Sequence, residues 1–324
     1  MTRIEDRTRR RHQWFFETAV LAVILWMAAS AAVAQSSAAN PLGASTIKVD
    51  CNKKGSINTT LAMLSRAGKT RDISLLVSGT CHENVTIEAL ENLSLQGNPT
   101  ATIDGSVNPD LATVTIGRSV NIALSNLTII GSNLVGVDCE SFTYCSLTEV
   151  TLQNNDVGAN AADGARLAIT NSTIQNNTEG GVELGFGSAY LNGGSIVGNG
   201  GDGVILGKDA TLTTAGRLTI QNNNGNGITT EQHNTIGLGA TTITGNTGDG
   251  ISLRMASTLI VSGSTISNNA GHQVRIGDLS IAQFNHNNTV TPDVVCDPVY
   301  SATRGIGNLI GTTTNCPAEL PPTP

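Results

Sequence analysis

Charged side chains that recur at one place in a repeated phrase are the residues of this sequence that could do chemistry. The phrase is Gly followed by Val or Ile, and Glu231 and Arg254 stand four positions after the Gly of two successive copies. Stacked strands would bring them to roughly 5 Å at the backbone. A cation there can hold the carboxylate of a uronic acid while Glu231 or His233 transfers a proton. We therefore predict Glu231 and Arg254 as catalytic residues. The predicted substrate-binding residues are Glu183, Lys208, His233 and Arg275.

A second group of polar residues occupies the outward position within the same phrase. In register these residues are Asp138, Asn160 and Glu183. Carboxylate and amide oxygens in a row suit Ca²⁺, so the three form the predicted metal site. The alternative interpretation is structural, since mixed charges are the ordinary solvated surface of a folded protein. Apart from Ca²⁺, the sequence predicts no cofactor.

Aromatic residues, which often stack on sugars, are scarce at 3% of the chain. Phe142 and Tyr144 are predicted at the tip of a small loop between two cysteines, where a sugar can reach them. Phe186 and Tyr190 are predicted to pack in the core. The scarcity of rings argues against a strong carbohydrate platform.

These residues must be positioned by a repeat that runs from Asn126 to Thr289. Its marker is an Asn with an aliphatic residue three positions earlier, and successive markers are 22, 22, 24, 23 and 23 residues apart. The markers are Asn155, Asn177, Asn199, Asn223, Asn246 and Asn269. A period of this length is typical of a solenoid, in which each unit buries its apolar face against its neighbours.

Each repeat contains three short strand patterns bounded by Gly and Asn. In the Gly-Val-x-Leu phrase alternate residues, such as Val182 and Leu184, should point inward. The predicted fold is all-β, a single-stranded right-handed parallel β-helix solenoid with 22–24-residue coils and a short N-terminal capping helix. A leucine-rich repeat shares the period but requires Leu-x-x-Leu-x-Leu and a convex helical segment, and neither occurs. A left-handed hexapeptide helix would need a much shorter period.

The marker asparagines have two possible roles. Asn tolerates the left-handed backbone that turns between stacked strands often require. Stacked coils would also let successive amides hydrogen-bond along the column. Alternatively, an exposed row of Asn can bind sugar hydroxyl groups, but the structural role is the prediction that we favour.

The ends of the chain predict an exported protein with a capped solenoid. Residues 1–34 have an Arg-rich start, an apolar run and an Ala-Val-Ala end, so we predict a signal peptide cleaved near Ala34. The alternative is an uncleaved membrane anchor. Residues 35–45 are a predicted spacer, 46–290 the β-helix with its N-terminal cap, and 291–324 the C-terminal cap and tail. The mature protein should be secreted, periplasmic or held in the cell envelope, with no membrane span.

Six cysteines in an exported chain predict disulfides. Fifteen pairings are possible, and proximity in the chain favours three of them. These are Cys51–Cys81, Cys139–Cys145 and Cys296–Cys316. The first pair would staple a short helix, predicted over Ile57–Ala67, that closes the open end of the solenoid.

The charge of the chain excludes one class of partner. The net charge is -7, and the leader carries five Arg against three acidic residues, so the remainder is more acidic still. Nucleic-acid binding needs clustered Lys and Arg, and no basic stripe is present. We therefore predict no nucleic-acid partner. The oligomeric state is left open.

The coils containing VGNGGDGV and ITGNTGDGI, with the cap around SINTTLAML and VSGTC, resemble secreted right-handed β-helix proteins of the pectin-lyase-like group. The resemblance covers roughly residues 46–290. It implies the fold and a relation to polysaccharides or cell-surface glycans, since the group includes lyases, hydrolases, epimerases, tailspikes and adhesins. None of the standard polysaccharide lyase, polygalacturonase or epimerase motifs is present. Our interpretation is a non-catalytic binding or structural surface. The alternative is a polysaccharide lyase or hydrolase acting on acidic glycans.

Overall fold

The computed structural model describes residues 46–297, 302–304, 308–309 and 311–316. The predicted signal peptide and spacer, and the end of the predicted tail, lie outside the described residues. Within these ranges, parallel strands follow one another in coils of about 23 residues, and about ten coils are stacked. The predicted β-solenoid is confirmed.

Short strands make up most of each coil. In chain order the strands are β1 (Thr46–Asp50), β2 (Arg71–His82), β3 (Val85–Glu88), β4 (Glu91–Asp104), β5 (Val114–Gly117), β6 (Val120–Ile130), β7 (Val135–Cys139), β8 (Tyr144–Thr148), β9 (Thr151–Gln153), β10 (Val157–Ala162), β11 (Arg166–Thr170), β12 (Thr173–Gln175), β13 (Gly180–Gly185), β14 (Ser188–Asn192), β15 (Ser195–Val197), β16 (Val204–Lys208), β17 (Thr211–Ala215), β18 (Thr219–Gln221), β19 (Ile228–Gln232), β20 (Thr235–Gly239), β21 (Thr242–Thr244), β22 (Ile251–Leu253), β23 (Thr258–Ser262), β24 (Thr265–Ser267), β25 (Val274–Ile276), β26 (Ile281–Phe284), β27 (Thr289–Thr291), β28 (Asp293–Cys296), β29 (Ala302–Arg304) and β30 (Thr313–Thr314). The helix α1 spans Ile57–Arg66, and short 3-10 turns span Cys51–Lys53 and Gly105–Val107.

The strands form two parallel sheets. The front sheet has eleven strands, in the order β3-β5-β7-β10-β13-β16-β19-β22-β25-β28-β30. The other sheet begins with the long strands β2, β4 and β6, and β6 then pairs with both β8 and β9. From that point two separate columns of short strands continue, so each later coil contributes three strands.

The core is a column of aliphatic side chains that repeat in register. Val182 pairs with Val204 and Leu184 with Leu206 on neighbouring coils, and all four are fully buried. Stacked rows of branched aliphatics fill a narrow interior without large rings, as the composition predicts. Phe284 is the one aromatic residue among the largest fully buried side chains of the described residues.

The marker asparagines form a buried hydrogen-bonded ladder. Each of the first five donates from Nδ2 to the Oδ1 of the next marker at 2.8–3.3 Å. Its backbone N–H donates to the same oxygen at 3.0–3.1 Å. The ladder ends where Asn269 donates to Gln273 Oε1 at 2.9 Å. The structural role of the column is thus confirmed, and burial excludes these residues from sugar binding.

The left-handed turn lies one residue before each marker, so that part of the prediction is wrong. The residues with positive φ, between 52° and 68°, are Asn154, Asn176, Gly198, Asn222, Gly245 and Asn268. All six are exposed, whereas the markers that follow are buried. The left-handed residue turns the chain, and the next side chain then points into the stack.

The N-terminal helix is capped from another coil. Ser56 Oγ accepts a hydrogen bond from the Thr59 N–H at 3.1 Å, and the Glu83 carboxylate accepts from the N–H groups of Ile57 and Asn58. These donors have no partner within the helix itself, and a carboxylate at that end is also favoured by the helix dipole. Ile57 and Leu61 are buried in the common core. The predicted capping helix is confirmed.

The three favoured disulfides are all present. Cys51–Cys81 joins the N-terminal cap to β2, Cys139–Cys145 closes a turn between β7 and β8, and Cys296–Cys316 ties the last described segment to β28. No free cysteine remains among the described residues. Cys51–Cys81 and Cys296–Cys316 lie at the two ends of the stack, and Cys139–Cys145 lies beside the front sheet.

Candidate functional site

The outward surface of the front sheet, called here the front face, carries most of the predicted site residues. Strand pairing aligns one outward residue per coil in what we call the front row. In order the front row is Asp138, Asn160, Glu183, Ile205, Thr229, Ser252 and Arg275. The register from which the site residues were chosen is therefore confirmed.

The predicted catalytic residues are neighbours, but they are not joined. The pairing of Thr229 with Ser252 places Glu231 beside Arg254 on the next coil. Both side chains are exposed, and they form no ion pair with each other among the described residues. His233 lies 3.7 Å from the Asp209 carboxylate instead.

The other two predicted cations have partners of their own. Lys208 Nζ lies 5.5 Å from the centre of the Phe186 ring, within the range of a cation–π contact. Arg275 Nε lies 2.9 Å from Asp249 Oδ2, and its Nη1 lies 3.6 Å from Asp297 Oδ1. The structure therefore does not gather Lys208, Arg254 and Arg275 into one binding site for a uronate.

The predicted metal row is held by a hydrogen bond between its own members. Asn160 Nδ2 donates to Asp138 Oδ1 at 2.8 Å. An amide that turns its donor toward the carboxylate directs its own oxygen elsewhere, so the row does not converge oxygens on one point. As arranged, Asp138, Asn160 and Glu183 fit Ca²⁺ poorly.

The carboxyl groups at this end of the front face are crowded. Burial raises the pKa of Asp138, and Asp163 adds to the effect against the hydrogen bond from Asn160. Burial also raises the pKa of Glu183, with repulsion from Glu231 among the further causes. The pKa of Glu140 is raised by burial and then by Asp138 and Asp163. Negative charge is thus concentrated where β7, β10 and β13 lie side by side.

Replacing Asp138 with Asn is expected to raise the melting temperature at pH 7 by about 1–3 °C. This corresponds to an increase of less than about 1 kcal/mol in the free energy of unfolding. The folded pKa of Asp138 lies above its ordinary value of 3.8. The protonated Asp138 side chain therefore makes its full contribution to stability below pH 3.8. That contribution is lost as the pH rises through the folded pKa. Asn keeps an acceptor for Asn160 but cannot ionise, so its advantage should vanish in acid. Thermal melts across this pH range measure the effect.

The matched control is Asp110→Asn, which removes one exposed aspartate from the loop inserted before β5. A lower melting temperature for Asp138→Asn at pH 7 would contradict the prediction. It would mean that the ionised carboxylate is needed as a structural acceptor.

Two phenylalanines project from the turns that follow the front strands, a row of turns that we call the ledge. Phe142 follows β7 and is 85% exposed, and Phe186 follows β13 and is 53% exposed. The prediction that Phe186 packs in the core is wrong, because it occupies the ledge turn with φ of 55°. Tyr190 is half-buried at an outward position of β14, and Tyr144 begins β8 rather than standing at the loop tip.

Large residues on the ledge adopt a strained backbone. Phe142, Phe186, Met255 and Leu279 all have φ between 47° and 67°, and all are exposed. Left-handed backbone is unfavourable for bulky side chains, and such strain is found most often at functional sites. The Phe142 ring lies across Gly164 of the next coil, where a Cβ atom would come within 2.5 Å of it.

Between the front row and the ledge, the sheet surface is recessed because its residues have small side chains or none. The positions beside the two rings are Ala162, Gly185 and Gly207, in register on three successive coils. A Cβ atom added at Gly185 would meet nothing within 4 Å. This strip is open to solvent and lies directly beside the exposed rings.

The C-terminal half of the front face is closed by hydrogen bonds and an ion pair that the sequence analysis missed. His272 Nδ1 lies 2.5 Å from Asp293 Oδ2, and Asp249 accepts from the His272 N–H at 2.7 Å while pairing with Arg275. Ser252 in the front row is fully buried there, and its Oγ has no hydrogen-bond partner among the described residues. The sequence signal for this half was a polar residue that recurs just before the front strands. The Asn226 N–H donates to the side chain of the corresponding residue on the preceding coil, and the Asn226 side chain accepts from the N–H of Asp249 on the next coil.

Residues 187–292 match the family model described as right handed beta helix region. The matched stretch runs from β14 to β27, and the coils before it stack in the same parallel register. The chain is a right-handed parallel β-helix protein. A search of curated proteins finds no matching sequence.

A right-handed β-helix of this kind has the fold of the pectin-lyase-like class in general. Because many functions share one fold, function in this β-helix protein must be argued from the front face and the ledge. No helix among the described residues is long and apolar enough to cross a membrane.

Proposed function

We propose that this β-helix protein is exported and binds glycan chains along the front face without cleaving them. The observation that carries the proposal is the pair of exposed rings, Phe142 and Phe186, at the edge of a strip of small residues. Exposed apolar groups clustered on a polar surface mark interaction sites.

The spacing of the rings suits a ligand that lies across the coils. The backbones of Phe142 and Phe186 are two coils apart, roughly 10 Å at the usual strand spacing, and the Phe142 ring extends over Gly164 on the coil between them. Backbone hydrogen bonds join the ledge turns of the three coils, from the Phe142 N–H to Asp163 O and from the Gly164 N–H to Phe186 O. The rings therefore stand on a fixed frame, and their flat faces can cover the apolar faces of sugar rings.

The polar groups needed to orient a sugar lie beside the rings. Asp138 is on the coil of Phe142, and Glu183 is on the coil of Phe186, with Asn160 between them. Carboxylates and amides are ordinary acceptors and donors for hydroxyl groups. The recessed strip of Ala162, Gly185 and Gly207 lets a ligand approach the backbone closely.

Several features speak for binding rather than turnover. Glu231 and Arg254, the pair predicted to act on uronates, are exposed and form no ion pair with each other among the described residues. General acid–base catalysis needs a group held within hydrogen-bond reach of its proton. Two of the predicted substrate cations, Lys208 and Arg275, already have partners.

The alternative is a polysaccharide hydrolase or lyase acting on acidic glycans, and one observation favours a hydrolase. Asp138 and Glu183 flank the open strip, and both have raised pKa values. Their coils are roughly 10 Å apart at the backbone, and inverting enzymes hold two carboxyl groups about 6.5–9.5 Å apart. A surface this acidic would repel the polymer that the alternative requires.

The three disulfides support export, because such bonds persist in oxidising compartments. Secretion or retention in the cell envelope follows if the predicted leader is cleaved near Ala34.

The proposal is tested with soluble neutral, amino-substituted and uronate-containing oligosaccharides. We expect titration calorimetry to detect binding of at least one class. The Phe142→Ala/Phe186→Ala double variant should weaken it about tenfold or more, which is roughly 1.4 kcal/mol. Reducing-end release and ultraviolet detection of unsaturated uronates, with and without Ca²⁺, should show no product.

Met255→Ala is the matched control, because Met255 is an exposed ledge residue on the closed half of the front face. It should bind as the unmodified protein does. Product formation would favour the enzyme instead. Loss of that product in Glu231→Gln or Arg254→Ala would indicate a lyase, and loss in Asp138→Asn or Glu183→Gln would indicate a hydrolase.

A further inference from the structure

The open half of the front face, by which we mean the coils of Phe142, Asn160 and Phe186, is acidic, and the cation recorded at one of its rings, Lys208, comes from the following coil. Asp138, Glu140, Asp163 and Glu183 lie on the same three successive coils as the two exposed rings. The front strands and ledge turns of these coils, residues 135–143, 157–164 and 180–187, contain no Lys, Arg or His. The nearest basic residue along this stretch is Arg166, which begins a strand of the other sheet.

The protein offsets the like charge of these carboxylates only in part, since Arg118 acts to lower the pKa of Glu140. None of the four forms an ion pair among the described residues, unlike Glu88 two coils before Glu140, which pairs with Arg118. Their mutual repulsion contributes to the raised pKa values of Glu140 and Glu183. A ligand that brings positive charge would relieve that repulsion.

One of the rings already holds a cation. Lys208 Nζ lies 5.5 Å from the centre of the Phe186 ring, although Lys208 belongs to the following coil. The ring face thus suits an ammonium group, which would have to displace Lys208, and Glu183 lies on the same coil.

Resting on the proposed function, we infer that the glycan bound by the open half of the front face is cationic, a polymer of sugars with free amino groups. The rings cover the apolar sugar faces, and the carboxylates receive the ammonium groups. A uronate polymer would meet like charge at every coil, which disfavours it at the same site.

The experiment compares two oligosaccharides that share one backbone, a β-1,4-linked glucosamine hexamer and its fully N-acetylated form. We expect the free amine form to bind at least about tenfold more tightly at slightly acid pH and low salt. Most of that advantage should disappear as salt is raised toward 0.5 M, because exposed charges are then screened. Polygalacturonate oligomers should not bind.

Three variants separate the contributions. Asp138→Asn/Glu183→Gln should remove most of the preference for the free amine form, so that the two hexamers bind the double variant with similar affinity. Lys208→Met should strengthen binding of the amine form two- to fivefold, because it removes the cation that competes for Phe186. A uronate ligand would respond to Lys208→Met in the opposite direction.

The outcomes distinguish this inference from the proposed function. Equal binding of both hexamers, insensitive to salt and to the acidic variants, would overturn the cationic assignment and leave glycan binding intact. No binding of any oligosaccharide by folded protein would overturn both. Equal affinity for a lysine hexapeptide would show simple charge attraction and would also overturn the assignment.

Discussion

Asn223→Ala should lower the free energy of unfolding by about 3–5 kcal/mol. This is the largest effect that we expect of any single substitution. Asn223 Oδ1 accepts from both the backbone N–H and the Nδ2 of Asn199, at 3.0 and 2.9 Å. Its own Nδ2 donates to Ile196 O and Asn246 Oδ1. Alanine would leave several of these buried groups unsatisfied, at about 1–3 kcal/mol each. Equilibrium denaturation measures the change.

The neighbouring Asn224 provides a close control. It belongs to the same turn, but it is exposed, and within the described part of the chain its Oδ1 accepts only from Thr247 Oγ1 at 3.5 Å. Asn224→Ala should change stability by less than about 0.5 kcal/mol. Comparable losses in the two variants would show that the turn needs Asn for its backbone, and that the buried ladder contributes little.

Gly203→Ala should destabilise the protein by about 3 kcal/mol or more, since overpacking of this severity requires the backbone to move. A Cβ atom at Gly203 would lie 2.6 Å from the carbonyl oxygen of Gly227 and 2.6 Å from Ile220 Cγ2. Both atoms belong to the next coil, so the two coils would have to separate. Thermal melting and amide hydrogen exchange in the coils on either side measure the effect.

Gly237→Ala is the matched control, because a Cβ atom there would meet nothing within 4 Å and the position lies within β20. It should be neutral or stabilising by up to about 1 kcal/mol, through the reduced freedom of the unfolded chain. If Gly203→Ala melts like Gly237→Ala, the close approach of the coils at Gly203 is not a constraint in solution.

Periodicity was enough to predict the fold, because every coil of a solenoid has the same arrangement of strands and turns. The sequence showed the spacing of the marker asparagines and the inward Val and Leu of the front strands. It also showed the capping helix, which was predicted over Ile57–Ala67 and spans Ile57–Arg66. Strand register followed from the same alignment. The cysteine pairs are close in the chain, and a narrow stack leaves few other ways for them to meet.

The candidate site was less accessible to prediction, because side-chain directions at turns do not follow the strand alternation. Phe186 was predicted as a core residue, yet a left-handed ledge turn exposes it. Lys208 and Arg275 were placed correctly in register, but which partner each long side chain would choose depended on a ring and two aspartates elsewhere. Strand register predicts which residues are neighbours on successive coils. The partner that a long side chain contacts can be read only from the three-dimensional structure.

Mechanical load would act on this protein one coil at a time. Each coil is joined only to its neighbours, and pulling an end coil away would release about 23 residues, roughly 75–80 Å of extended chain. The end disulfides oppose this, because Cys51–Cys81 and Cys296–Cys316 enclose 30- and 20-residue separations that tension between the termini cannot extend while they are oxidised. An oxidised molecule under tension therefore keeps those two segments short, and reduction adds their length to the extension.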